Sequence, residues 1–122
     1  MKILIVDDRP NLARVTIFAL RGLGCEALWA RSVAEAESCL ENSDMDAVFL
    51  DVNLDQENGF DYLSRLVVQR PQLPVIMFSA QSRDEILEES NQRGAFGCIT
   101  KPFGLEELRA MINRLQLHAS SR

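Results

Sequence analysis

Residues 3–8 read Ile3-Leu4-Ile5-Val6-Asp7-Asp8, and this short segment sets the architecture of the chain that follows. Its four consecutive apolar side chains suit a strand that is covered on both faces, as in a parallel sheet. Two carboxylates come directly afterwards, at the carboxyl end of that strand. The segment therefore predicts a buried first strand with an acidic tip.

More strands are predicted further along the chain. Continuous apolar runs of the same kind occur at residues 47–50 and 75–78, and a weaker run occurs at 98–99. Residues 27–30, Ala-Leu-Trp-Ala, fit an edge strand. These patterns together predict five short strands.

A first helix is predicted over residues 10–22. Apolar residues recur there at i, i+3, i+7 and i+11, which is the spacing of one helix face, and they are Leu12, Val15, Ala19 and Leu23. Gly22 and Gly24 stand where a helix C-cap is expected.

Four further helices follow from capping pairs and apolar stripes. Ser32 with Glu35, and Ser82 with Glu85, match the Ser-x-x-Glu capping box that marks the start of a helix. These pairs predict the second and fourth helices. The third helix ends at Arg70-Pro71, and the apolar stripes of the third and fifth helices are Phe60, Leu63, Leu66 and Val67, then Leu105, Leu108, Met111, Ile112 and Leu115.

Strict alternation of strands and helices predicts an α/β fold with a parallel sheet and helices on both faces. Two strand orders compete. The Rossmann order uses six strands and a glycine-rich first turn, whereas residues 7–10 contain no glycine. We therefore predict the five-stranded, doubly wound flavodoxin-like order 2-1-3-4-5, as one domain over residues 1–117 with an unstructured tail or the start of a linker at 118–122.

Composition excludes several classes of protein. The chain of 122 residues is 47% hydrophobic and 25% charged, as in an ordinary globular domain. It has no apolar run near the roughly 20 residues of a membrane span, and its start lacks a secretory signal, so a cytoplasmic location is expected. A net charge of -5 disfavours direct binding of nucleic acid. The three cysteines show neither a disulfide framework nor zinc-ligand spacing.

Polar residues follow the predicted strands in a consistent way. Asp7 and Asp8 follow the first strand, Asp51 the third, Ser79 the fourth and Lys101 the fifth. In open α/β sheets, ligands bind at the carboxyl ends of the strands, where the strand order reverses. We expect Asp8 and Asp51 to face each other there, between the first and third strands.

This arrangement predicts phosphoryl chemistry at a magnesium site. Three carboxylates in one cleft repel each other unless a cation neutralises them, and hard oxygen ligands suit Mg²⁺. The metal and Lys101 would supply positive charge to a phosphoryl group, with Asp51 as the nucleophile. Each residue alone has a simpler explanation: Asp8 as a helix N-cap, Ser79 as a turn residue, Lys101 as a solvated cation. Their convergence on one edge of the sheet favours the functional interpretation.

The ordered motifs resemble the receiver domains of bacterial two-component response regulators, over about residues 2 to 117. They are residues 3–8, Phe49-Leu50-Asp51-Val52-Asn53-Leu54 with Gly59 downstream, Val75-Ile76-Met77-Phe78-Ser79-Ala80, and Gly94-Ala95 followed by Thr100-Lys101-Pro102-Phe103. The resemblance implies that Asp51 accepts a phosphoryl group from a sensor histidine kinase. It also implies that Mg²⁺ binds to Asp8, Asp51 and the backbone carbonyl of Asn53, with Asp7 holding waters.

The resemblance extends to the surroundings of Asp51. Lys101 would pair with the phosphoryl oxygens or, before phosphorylation, with the Asp51 carboxylate. Ser79 would swing in to bond the phosphoryl group, and the small Ala80 would leave the acceptor accessible. The Lys101-Pro102 bond would be cis, and Asn53 and Gln81 would tune the lifetime of the aspartyl phosphate. Phosphorylation would change the face formed by the fourth helix, fifth strand and fifth helix, which would bind a downstream output domain or protein or form a homodimer.

One residue departs from the family pattern. Cys98 stands three residues before Lys101, where receivers usually have Tyr or Phe, and a thiol cannot fill that volume. The aromatic switch is in doubt at this position, and either backbone movement of the fourth helix or Phe96 could replace it. The fourth helix itself has only Ile86 and Leu87 as large apolar residues, which predicts a weakly anchored element.

Two alternatives remain on sequence grounds. The first is an interaction module with the same fold that works without phosphorylation, which Cys98 favours and the acidic cluster opposes. The second is a magnesium-dependent phosphatase, but such an enzyme needs a substrate cap for which 122 residues leave no room. We therefore expect a switch that catalyses only its own phosphorylation and dephosphorylation, and not an enzyme that acts on other substrates.

Overall fold

A computed structural model describes residues 1–54, 56–80, 83–101 and 103–120. Five strands alternate with five helices, in the order β1 (Lys2–Val6), α1 (Pro10–Gly22), β2 (Glu26–Ala30), α2 (Val33–Asn42), β3 (Ala47–Asp51), α3 (Gly59–Gln69), β4 (Val75–Ser79), α4 (Arg83–Gln92), β5 (Gly97–Thr100) and α5 (Leu105–Ser120). All five predicted strands and their predicted helices are present.

The strands form one parallel sheet in the order β2-β1-β3-β4-β5. This is the predicted flavodoxin-like order, with β2 at an edge, and it differs from the Rossmann order. In the β1·β3 pair Val6 stands opposite Leu50, so the next residues along the chain, Asp7 and Asp51, emerge side by side. The reversal of strand order therefore lies between the acidic tips of β1 and β3.

Alternate side chains of the sheet enter two separate apolar clusters. One contains Leu4, Leu50 and Met77 beneath the helices α2, α3 and α4. The other contains Ile5, Phe49 and Phe78 beneath α1 and α5. Because both faces are covered, the strands carry continuous apolar runs instead of an alternating pattern. Among the helices described, none has the length and apolar character required to cross a membrane.

Helix α2 begins as predicted. The Ser32 hydroxyl accepts a hydrogen bond from the Glu35 backbone amide at 3.1 Å, and the Glu35 carboxylate accepts one from the amide of Arg31, one residue before the cap. The second predicted capping box depends on Ser82, which lies outside the described residues. Helix α1 is followed by Gly24 at φ +86°, a conformation that favours glycine.

The predicted apolar face of α1 is correct only in part, since Ala19 and Leu23 pack against the core as partly buried residues. Its buried residues are Ala13, Thr16 and Leu20, whereas Val15 is 61% exposed. Thr16 can face the core because its hydroxyl donates to the Leu12 carbonyl at 2.9 Å, which satisfies the polar group within the helix. Ala13 and Thr16 thus take buried positions that the apolar periodicity did not indicate.

The fifth helix extends beyond the domain end that we predicted at residue 117. The helix continues to Ser120, so residues 118–120 are helical and do not form an unstructured tail, while 121–122 lie outside the described residues. The His118 ring packs against the Phe96 ring at 5.1 Å between centroids, which holds the last turn. In the predicted stripe, Leu108 to Leu115 contribute buried residues but Leu105 is 51% exposed.

Candidate functional site

The predicted acidic cluster is present at the carboxyl ends of β1 and β3. One carboxylate oxygen from each of Asp7, Asp8 and Asp51 lies within 4.8 Å of the other two. Lys101, just after β5, brings its ammonium to 3.0 Å from Asp51 Oδ2 and 3.3 Å from Asp7 Oδ2. The sheet therefore collects three anionic groups and one cation from distant parts of the sequence.

Asp51 is the last residue of β3 and is buried. Its Oδ2 accepts from Lys101, and its Oδ1 accepts from the Asn53 backbone amide at 3.0 Å. Burial raises the pKa of the Asp51 carboxyl above its ordinary value, although the Lys101 ammonium opposes this shift. The charged form is thus stabilised mainly by specific partners and little by water.

Asp8 does not cap α1. The N-cap is Arg9, and Pro10 occupies the first turn. Among the described residues, Asp8 Oδ1 is buried and has no hydrogen-bond partner. A buried carboxylate oxygen without a donor, beside two further carboxylates, is the kind of group that a hard divalent cation satisfies. The donor set therefore fits Mg²⁺.

Ser79 and Lys101 are held together by the backbone. Ser79 is buried at the end of β4 and pairs with Thr100 in the β4·β5 register. The Lys101 amide donates to the Ser79 carbonyl at 2.7 Å, which fixes where the lysine side chain leaves the sheet. Ala80 is exposed beside them. Pro102 and Gln81, with the predicted cis bond and the predicted effect on phosphoryl lifetime, lie outside the described residues.

Gly59 has a packing role that the sequence did not reveal. Its amide donates to the Val52 carbonyl at 2.8 Å, which brings the start of α3 against the segment after Asp51. A Cβ atom at this position would overlap the Asp51 carbonyl oxygen and lie 2.9 Å from Val52 Cα. Only glycine permits this close approach, which supports the backbone beside the acceptor aspartate.

Trp29 is a further residue that sequence reasoning missed. Its indole Nε1 donates to the Asp7 backbone carbonyl at 2.7 Å. The strand register places Trp29 opposite Ile5, two residues before Asp7. The sequence does show an amphipathic aromatic residue near the end of an edge strand. It does not show which polar atom the indole nitrogen reaches.

Cys98 is a packed residue of β5, 8% exposed. It lines a groove of about 240 Å³ between α4 and α5, with Leu87, Phe96 and Arg114 among the other lining residues. Phe96, the other candidate for the aromatic switch, has its ring against α5, with the Arg114 guanidinium 5.0 Å from the ring centroid.

Helix α4 buries little apolar surface among its described side chains. Ile86 is buried, as is Ser90, whose hydroxyl donates to the Ile86 carbonyl, while Leu87 is 38% exposed. The weakly anchored helix predicted from the sequence is consistent with this pattern.

A family model described as the response regulator receiver domain matches residues 3–113. The chain belongs to this receiver domain family. Among the curated relatives of this receiver is the alginate biosynthesis transcriptional regulatory protein AlgB of Pseudomonas putida, which is 32% identical over 108 residues, 88% of this chain and 24% of AlgB. The DNA-binding transcriptional regulator NtrC of a Bradyrhizobium species is 35% identical over 112 residues, 92% of this chain and 23% of NtrC. The receiver thus spans about a quarter of these two proteins.

The fold of the receiver has a close counterpart among solved structures. The crystal structure of Vibrio cholerae chemotaxis protein CheY4 superimposes with a TM-score of 0.84 at 27% sequence identity, and covers 93% of this chain and 97% of CheY4. The receiver fold here is therefore similar both to one part of long transcriptional regulators and to nearly the whole of a short chemotaxis protein.

Proposed function

We propose that this receiver is a phosphorylation-dependent switch of a two-component system, in which Asp51 accepts a phosphoryl group from a sensor histidine kinase. The observation that carries the proposal is the buried contact between Lys101 Nζ and Asp51 Oδ2, with Asp7 and Asp8 adjacent. A nucleophilic carboxylate, a cation for phosphoryl oxygens and acidic ligands for a metal are the components that phosphoryl transfer requires.

In this proposal Asp8, Asp51 and the Asn53 backbone carbonyl would hold Mg²⁺, and Asp7 would hold waters of the ion. When bound, the ion supplies positive charge to the phosphoryl oxygens. Asp51 attacks phosphorus, a P–O bond forms, and the P–N bond of phosphohistidine breaks with its electron pair leaving on the imidazole. Lys101 exchanges the carboxylate for a phosphoryl oxygen, and the Ser79 hydroxyl donates to another. The chain catalyses only its own phosphorylation and dephosphorylation.

The face formed by α4, β5 and α5 is the surface that we propose for the output. A phosphoryl group adds about two negative charges beside Ser79, at the start of the connection to α4. We propose that this charge shifts α4 and so changes the affinity of the face for an output domain or protein, or for a second copy of the chain. Since AlgB and NtrC are transcriptional regulators, the output is proposed to be transcription. The proposed location is the cytoplasm, and residues 1–117 are proposed to bind neither nucleic acid nor a membrane.

The direct test is intact mass after incubation with Mg²⁺ and a small phosphodonor such as acetyl phosphate. Wild type should gain one phosphoryl group. The control Asp44→Asn, which alters an exposed carboxylate before the amino end of β3, should gain one as well. Asp51→Asn should gain none, and addition of EDTA should prevent the gain in wild type. A wild-type protein that stays unmodified would contradict the proposal.

A second candidate is an interaction module that works without phosphorylation. Cys98 favours it, because the groove beside this residue is already open without a phosphoryl group. A partner that binds wild type, phosphorylated wild type and Asp51→Asn with equal affinity would support this candidate over the switch.

A further inference from the structure

We infer that Trp29 is a positioning residue for the acidic cluster, acting through the peptide bond between Asp7 and Asp8. The inference rests on the proposed function, since it assigns a purpose to the geometry of the proposed metal site. It starts from the 2.7 Å hydrogen bond in which the indole Nε1 donates to the Asp7 carbonyl.

Asp7 is restrained at four atoms. Its amide donates to the Ala30 carbonyl at 3.1 Å, and its own carbonyl accepts from Trp29. Its side-chain oxygens accept from the Arg9 amide at 2.9 Å and from Lys101 at 3.3 Å. Asp7 is therefore fixed by both backbone and side chain.

Asp8 is placed differently, because its Oδ1 has no hydrogen-bond partner among the described residues. The Asp8 carboxylate therefore depends on its backbone for its position. A peptide unit is planar, so fixing the Asp7 carbonyl also fixes the plane that contains the amide nitrogen and Cα of Asp8. Trp29 thereby orients Asp8, whose buried Oδ1 has no donor among the residues that the structure describes.

The environment of Trp29 supports a well-defined indole position. The ring is half-buried against the apolar cluster beneath α1 and α5. The Arg31 guanidinium also lies 4.5 Å from the ring centroid, at a distance typical of a cation–π contact. A ring with these two contacts loses little entropy when it forms the bond to Asp7.

The test is Mg²⁺ affinity, measured by isothermal titration calorimetry. Trp29→Phe removes the donor, and the loss of one hydrogen bond should weaken Mg²⁺ binding roughly two- to tenfold. Leu28→Ala is the matched control, since Leu28 is the neighbouring residue of β2 and is 38% exposed. This variant should bind Mg²⁺ like wild type, even if its unfolding midpoint in urea falls.

A second readout uses the protein without substitution. Trp29 is the only tryptophan in the sequence, so the indole N–H gives a single NMR cross-peak. That peak should exchange slowly with solvent and shift as Mg²⁺ is added, with the midpoint found by calorimetry. If Trp29→Phe folds and binds Mg²⁺ as tightly as wild type, or if the indole peak does not move at saturation, the role of Trp29 is refuted and the switch proposal stands. If wild type binds no Mg²⁺, both fall together.

Discussion

Lys101 Nζ lies 3.0 Å from Asp51 Oδ2, and both side chains are almost fully buried, at 8% and 4% exposure. Two opposite charges that are buried from solvent stabilise each other, because neither can be stabilised by bulk water. This pair links the end of β3 to the residue after β5, and it makes the chemistry of the site depend on the position of β5.

Replacing Lys101 with Met should slow phosphorylation of Asp51 roughly tenfold to a hundredfold, because a cation aimed at the phosphoryl oxygens is lost. The rate is measured by quenching the acetyl phosphate reaction at intervals and recording intact mass. Lys2→Met removes the only other lysine, at the far end of β1, and should leave the rate unchanged. Equal rates for the two variants would contradict the role of Lys101.

The stability of the metal-free protein should depend on the ionisation of Asp51. Burial raises its pKa in the folded state above the ordinary value of 3.8, so the folded state binds the proton more tightly than the unfolded state. The resulting stabilisation is complete below 3.8 and is lost as pH rises through the raised pKa. In urea titrations with EDTA, the unfolding free energy of Asp51→Asn relative to wild type should therefore increase with pH. A constant difference would show that Asp51 does not titrate in this way.

Arg93 should anchor the C-terminal end of α4 to α3. Its guanidinium donates to Glu89 Oε1 at 2.8 Å and to the Phe60 carbonyl and Ser64 hydroxyl at 3.2 Å each. Arg93→Met should cost about 1 kcal/mol of unfolding free energy and speed amide hydrogen exchange in α4.

The control for this prediction is Arg109→Met, which removes an exposed arginine paired with Glu106 at 3.8 Å. That change should alter the unfolding free energy by less than about 0.5 kcal/mol. If α4 exchanges at the same rate in both variants, Arg93 does not hold the helix.

Binding of a phosphoryl analogue such as beryllofluoride should alter hydrogen exchange across residues 80–105, because the added charge lies beside the start of the loosely held α4. Exchange in α2 (Val33–Asn42), which contributes no residue to the site, serves as the internal reference. If the exchange rates of residues 80–105 are the same with and without the analogue, a signal through α4, β5 and α5 is ruled out, even if Asp51 is phosphorylated.

Gly59→Ala should destabilise the fold by about 1–3 kcal/mol, since the added methyl overlaps the Asp51 carbonyl oxygen and α3 must move away. Thermal and urea unfolding measure the loss. Gly22→Ala is the matched control, because a Cβ there meets nothing within 4 Å, and its stability should equal or exceed that of wild type.

Much of the fold could be predicted because the strands are continuous apolar runs that end in polar residues. The tips of β1, β3, β4 and β5 then give Asp7, Asp8, Asp51, Ser79 and Lys101 as one cluster before any coordinates are known. The carboxylate and ammonium distances show that Asp7, Asp8, Asp51 and Lys101 lie close together, and the backbone of Ser79 is bonded to that of Lys101. Their catalytic and metal-binding roles remain predictions that the experiments above address.

What could not be predicted depends on side-chain reach and on partners distant in sequence. The buried face of α1 includes Thr16, which apolar periodicity passes over because its hydroxyl is satisfied only inside the helix. Near the end of α5, His118 packs against Phe96, which immediately precedes β5 and is distant in sequence. The indole of Trp29 reaches a backbone carbonyl of the adjacent strand, a contact set by register and rotamer together.

The two apolar clusters lie on opposite sides of the sheet, one with α2, α3 and α4 and the other with α1 and α5. Core substitutions chosen from opposite sides share no packing partners, so their effects on the unfolding free energy should add. The sheet therefore separates the hydrophobic core into two parts. The proposed output face spans both cores, because α4 rests on one through Ile86 and α5 rests on the other through Leu108. The two helices of that face can therefore be destabilised independently by core substitutions.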